Sequence, residues 1–183
     1  MRTQKMFFVS CFLVMIIGWA YLAGAQTESS QETLKQYIAD LQKNPDDFAL
    51  RERIIKFVQT MKPQPAVPEE AERYFARGKA AVKSASTAKD FEDAANEFNK
   101  ALTIAPWLAE GYYNLGIVQD KAGRYQDAIR SLKLYLLASP NATDVKEVKS
   151  LIFEIEYRQE KAQKETITKK KEEEAKPDFS GIW

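Results

Sequence analysis

A match at a fixed spacing of 34 residues limits this chain more than any other feature. Phe91, Asp93, Ala94, Phe98, Ala101, Leu102 and Pro106 are answered, 34 positions on, by Tyr125, Asp127, Ala128, Leu132, Tyr135, Leu136 and Pro140. Only the step from Ala101 to Tyr135 changes size sharply. Three- and four-residue steps put Ala94, Phe98, Ala101 and Leu102 on one face of a helix. Small Ala94 and Ala128 let a neighbouring helix come close. Pro106 and Pro140 cannot continue a helix, so each stops one and starts the next. A unit this short is a helical hairpin that cannot bury its apolar face alone, and stacking on its neighbour completes the core.

The helix that opens the second unit carries Tyr112, Leu115, Gly116 and Gln119, and Gly123 marks the turn that follows. In the first unit Tyr74, Arg77, Gly78 and Ala81 have the same spacing. Gly78 lies 38 residues before Gly116, so the turn at Ser84-Ala85-Ser86-Thr87 is expected to hold about four extra residues. This pattern resembles the tetratricopeptide repeat (TPR) family over residues 71–108 and 109–142, with Gln119 in place of the usual aromatic. The resemblance implies an all-α fold, an α-α superhelix of TPR-like hairpins. It also implies a binding role, with a peptide or protein held in the groove lined by the first helix of each hairpin. On the repeat alignment that groove takes Phe75, Lys79, Glu110, Tyr113, Asn114, Ile117, Asp120 and Lys121, with Tyr113 and Asn114 foremost. Tyr113 offers area with a polar tip, and Asn114 both donates and accepts. The family's carboxylate clamp is not expected. Asn114 fits its middle place, but Phe75, Lys79, Asp144 and Val148 stand where the other members belong.

The flanks read as helices too. Residues 31–61 suggest a helical pair, a degenerate repeat, with Tyr37, Leu41, Leu50, Ile54, Ile55 and Val58 as its apolar residues and Asn44-Pro45-Asp46 as its break. Residues 62–68 hold three prolines, which favour a stiff extended linker. Glu69, Glu70 and Glu72 then suit the first turn of a helix, where carboxylates meet the positive end of its dipole. After Pro140, residues 143–160 put Val145, Val148, Leu151, Ile152 and Ile155 on one face, as a capping helix requires. Residues 161–183 form a charged tail rich in Lys and Glu, expected as a solvated helix or disorder. It ends on Phe179, Ile182 and Trp183, apolar side chains suited to docking on a partner.

Composition removes several chemistries. The 183 residues include no His, and Cys11 is the single Cys. The usual general base and the Ser-His and Cys-His nucleophile systems are therefore missing. No catalytic activity, cofactor or metal site is expected. Residues 1–25 combine Arg2 and Lys5, an apolar run from Met6, and Ala23-Gly24-Ala25, the three parts of a cleavable export signal. Without Arg2 and Lys5 the 27 basic residues fall to 25 against 26 acidic, a net charge of −1, which gives no footing for nucleic acid. The expectation is an exported (periplasmic or secreted) scaffold or adaptor for a protein or peptide. The alternative keeps the 20 residues Met6–Ala25 as a membrane anchor of a structural envelope subunit.

Overall fold

The computed structural model describes residues 28–174, and these hold seven helices. They are α1 (residues 28–43), α2 (Phe48–Thr60), α3 (Glu69–Ser84), α4 (Ala88–Ile104), α5 (Ala109–Lys121), α6 (Tyr125–Ala138) and α7 (Val145–Glu174). The expected export segment 1–25 and the docking residues Phe179, Ile182 and Trp183 lie outside the described residues. No described helix is long and apolar enough to cross a membrane.

Helices α3 and α4 form one hairpin, and α5 and α6 the next. Each hairpin closes on a glycine in its first helix. A Cβ on Gly78 would stand 2.6 Å from the Phe98 ring, and one on Gly116 would stand 2.7 Å from Leu132 Cγ and 3.2 Å from the Ala128 carbonyl oxygen. The absent side chain is what lets the helices touch. Ala94 and Ala128 are fully buried at these crossings, and one core runs from Phe98 and Leu102 through Tyr112, Leu115 and Leu132 to the last helix. There α7 buries Val148, Ile152 and Ile155 against α6, completing an all-α superhelix of TPR-like hairpins closed by a C-terminal capping helix.

The turn of the first hairpin differs from the expectation of an enlarged loop. Only Ala85–Thr87 separate α3 from α4, as many residues as Ala122–Arg124 in the second hairpin. The extra length is helical instead: α4 begins three residues ahead of Phe91, whereas α6 begins at Tyr125 itself. A capping box explains the early start. Thr87 Oγ1 accepts from the Asp90 N–H at 3.2 Å, and Asp90 Oδ2 accepts from the N–H groups of Thr87 at 2.8 Å and Ser86 at 3.0 Å.

The second hairpin turns by other means. Gly123 adopts φ 78°, its N–H donates to the Asp120 carbonyl at 2.9 Å, and the Arg124 N–H donates to the Gln119 carbonyl at 2.8 Å. This left-handed closure satisfies two carbonyls that the end of α5 would otherwise leave bare, and glycine takes it without steric cost.

A helical pair in the array would be expected to stack on the hairpin that follows it, α3–α4. Helix α2 packs chiefly on α6 instead. Ile55 enters the main core, Gln59 Nε2 donates to the Leu137 carbonyl at 2.7 Å, and the Arg130 guanidinium lies 5.2 Å from the Phe48 ring centre. A second small core forms from Leu34, Leu41, Leu50, Ile54 and Val58, with Trp107 of the α4–α5 turn against it.

Candidate functional site

Helix α5 has two faces. Tyr112, Leu115, Gly116 and Gln119 point inward and are buried, while Tyr113, Asn114, Ile117, Asp120 and Lys121 point to the other side and keep solvent contact. At 3.6 residues per turn these two sets lie on opposite sides of the cylinder. The outward set is the one the repeat alignment assigns to the groove.

Four of the groove residues meet where α3 and α5 run side by side. Phe75 is half-buried, its ring 5.7 Å from that of Phe98, and the Lys79 ammonium lies 5.2 Å from the Phe75 ring centre. Lys79 also reaches Glu110 at 3.9 Å, which joins the two helices. Asn114 Nδ2 donates to the Glu110 carbonyl at 2.8 Å, so part of its hydrogen-bonding capacity serves its own helix. Ile117 is half-buried farther along the same side.

Tyr113 faces the other way, toward α6 and α7. Its ring stands edge-on to Tyr135 at 5.4 Å, and the Tyr135 hydroxyl donates to Asp144 Oδ1 at 2.6 Å. That bond to a carboxylate, helped by burial and by the negative charge of Asp144, pushes the Tyr135 phenol up to about 12. Tyr113 is thus backed by a fixed ring and presents a set surface.

Two residues are tied elsewhere. Asp120 accepts from Arg158 of α7 twice, at 3.2 Å from Nε and 2.8 Å from Nη2, a bidentate pair that straps the capping helix to α5. Lys121 lies 5.1 Å from the ring centre of Phe91, over α4 and away from the others. Arg158 escaped the reading of the repeat, since it stands beyond the last matched unit. The available signal was its place one turn after Ile155, beside the packed stripe of α7.

Charge on this face cancels locally, Lys79 against Glu110 and Asp120 against Arg158. The Lys79–Glu110 pair, exposed on both sides, contributes little to stability. The face therefore offers apolar area and hydrogen-bonding groups more than a net field. Two of the clamp places are also occupied by structure: Val148 is buried in the core and Asp144 holds Tyr135. No group of three or more His, Cys, Asp or Glu side chains suited to a metal ion occurs among the described residues.

A comparison with curated proteins returns no match. Residues 85–152 match the family model described as tetratricopeptide repeat, a segment that takes in all of α4, α5 and α6 and the start of α7. With the glycine-closed hairpins, the buried alanines and the capping helix in place around that segment, the chain carries tetratricopeptide repeats, matched over residues 85–152.

Proposed function

We propose that this chain is an exported scaffold or adaptor that holds a protein or peptide in the concave groove lined by α3 and α5. Tetratricopeptide repeats mediate protein–protein interaction, and the domain division that suits this reading is an N-terminal helical pair, two repeats, a capping helix and a charged tail. The observation that carries it is the outward face of α5. Tyr113, Asn114 and Ile117 sit there half-exposed, on the side opposite the stripe that fills the core, and Phe75 and Lys79 extend the surface onto α3. A half-exposed aromatic held by neighbouring rings is the kind of residue that dominates binding energy at interfaces. Export is supported by the basic start, apolar run and small residues of positions 1–25.

The test uses a photo-crosslinking residue placed at Ile117 and, as a control, at exposed Lys133 on α6. We expect a discrete adduct from position 117 and none from 133, with the yield falling about tenfold when Tyr113→Ala and Asn114→Ala are combined. An unchanged yield in the double variant moves the binding surface off this face. Intact mass of the chain recovered from the producing cell separates export from anchoring, since cleavage removes residues 1–25.

A further inference from the structure

The capping helix has a second side. Val148, Ile152 and Ile155 of α7 are buried against α6, while Phe153 is 67% exposed, Tyr157 70% and Ile167 56%. Among the described residues, the exposed large apolar side chains all belong to this helix. At 100° per residue the three fall within about 80° of one another, turned away from the buried stripe. One exposed apolar residue is ordinary on a protein surface, but a stripe of them marks a contact face. The helix also outruns the body it caps. Its last side-chain bond to another helix is Gln159 to Gln126, at 3.0 Å. From Glu160 to Lys171 every side chain but that of Ala162 is exposed. A helical stretch this short, with nothing packed on it, is marginal in water.

The polar residues on the same stripe complete a pattern. Phe153, Tyr157, Glu160, Lys164, Ile167 and Lys171 follow one another at alternating steps of four and three, the spacing of a two-helix seam. Read backwards, this seam is its own complement. When two copies lie antiparallel about Ala162, Phe153 meets Lys171, Tyr157 meets Ile167 and Glu160 meets Lys164, each pair occurring twice. An ammonium then lies on an aromatic ring, an apolar side chain on an apolar one and a carboxylate on an ammonium. A parallel pair in register would set Glu160 on Glu160 and Lys164 on Lys164, like charge facing like. The ion pairs of α7 are Arg158 with Asp120 and Glu154, and Lys161 with Glu165, so neither Glu160 nor Lys164 holds one among the described residues. The antiparallel fit also avoids collision. Each free half of α7 lies along the partner's packed half, and the two repeat stacks sit at opposite ends behind their own helices.

We propose that α7 is an antiparallel dimerisation helix, with the stripe from Phe153 to Lys171 of one chain seated on the same stripe of a second copy. The contact is isologous, so it closes at two chains. The seam is about 27 Å long at 1.5 Å per residue and includes charged layers, which makes the dimer reversible. It uses none of the groove residues. One assembly therefore carries two grooves, and a partner with two matching segments is held more tightly than by one chain.

The experiment is sedimentation equilibrium of the chain as recovered from the producing cell, at concentrations from about 1 to about 300 μM. We expect a reversible equilibrium between monomer and dimer with no larger species. Phe153→Ala combined with Tyr157→Ala should weaken the dimer at least tenfold and leave helicity unchanged, since both side chains lie outside the core. Glu160→Lys and Lys164→Glu should each weaken it about tenfold, and the two together should restore it to within about threefold. A parallel pair would be indifferent to all three charge variants. A chain that stays monomeric throughout, a dimer unmoved by the aromatic variant, or a charge swap that restores nothing would overturn the proposal. So would a monomeric chain in which a photo-crosslinker at Phe153 captures a different protein, which assigns the stripe to that protein instead.

Discussion

In the first hairpin the Phe98 ring fills the notch above Gly78, and in the second the Leu132 side chain fills the notch above Gly116. The register is shared, but the neighbouring polar positions are handled differently. The first hairpin puts Glu97 opposite Arg77 at 2.7 Å, with the arginine 60% exposed. At the same place in the second hairpin stands Ser131, which donates to Gln119 Oε1 at 2.7 Å, and both residues are buried. The cause is what covers them. Helices α2 and α7 both pack on α6, so its polar side chains need partners inside the protein, whereas the first hairpin has a side open to water and carries charges there. The comparison teaches that the repeat pattern sets how helices cross, while the polar residues between the crossings answer to the position of each hairpin in the stack.

The sharpest way to break the comparison is to empty the two notches. Phe98→Ala is expected to cost about 3–5 kcal/mol and Leu132→Ala about 2–5 kcal/mol, read from denaturant unfolding. A loss below about 1 kcal/mol for Phe98→Ala would mean that the first hairpin lies outside the common core.

Filling the notches from the other side is gentler. Alanine gains about 1 kcal/mol of helix propensity over glycine, against an overpacking cost of about 1–3 kcal/mol. Gly116→Ala should be the worse of the pair, because the Ala128 carbonyl stands 3.2 Å from the new methyl, while at Gly78 the three nearest atoms all belong to the Phe98 ring. Equal losses would show that the ring is held as firmly as backbone.

The smallest effect concerns the caps. Thr87→Ala should cost about 1 kcal/mol, because the first hairpin uses a side-chain cap. Arg124→Ala should cost less, since no side chain caps α6. The N–H groups of Ser86 and Thr87 hold the Asp90 carboxyl down at about 2 against an ordinary 3.8. A lowered carboxyl contributes stability above its unfolded pKa and loses it as pH falls through the folded one. Protection factors of the α4 amides, taken relative to intrinsic exchange at each pH, should therefore fall as pH drops from 3.8 toward 2, and Asp90→Asn should flatten that window, while α6 shows no matching change.

Much of the fold was legible because the 34-residue period states which side chains share a face. Ala94, Phe98, Leu102, Ala128 and Leu132 are buried for the reason their spacing gives. The turn after α3 was misjudged because counting residues between glycines cannot tell loop from helix. The capping box Thr87–Asp90, which does so, is written in the same segment. On the candidate site, helix-face arithmetic separates outward from inward residues on α5 but cannot see what crosses to them. Arg158 meets Asp120 from 38 residues away, and only the tertiary arrangement brings it there.

One contact changes how the molecule should come apart. In a stack where each hairpin touches only its neighbours, the ends fray first and unfolding travels inward. Here Gln59 bonds to Leu137 across 78 residues of chain, so the N-terminal pair is fastened to the far side of the array. The N-terminal pair cannot then loosen without breaking its contacts with α6, and α2 to α6 should melt in one step. Folding bears the opposite consequence: a long loop must close before α2 finds α6, which makes this the slow event in an otherwise local, fast-forming helical array.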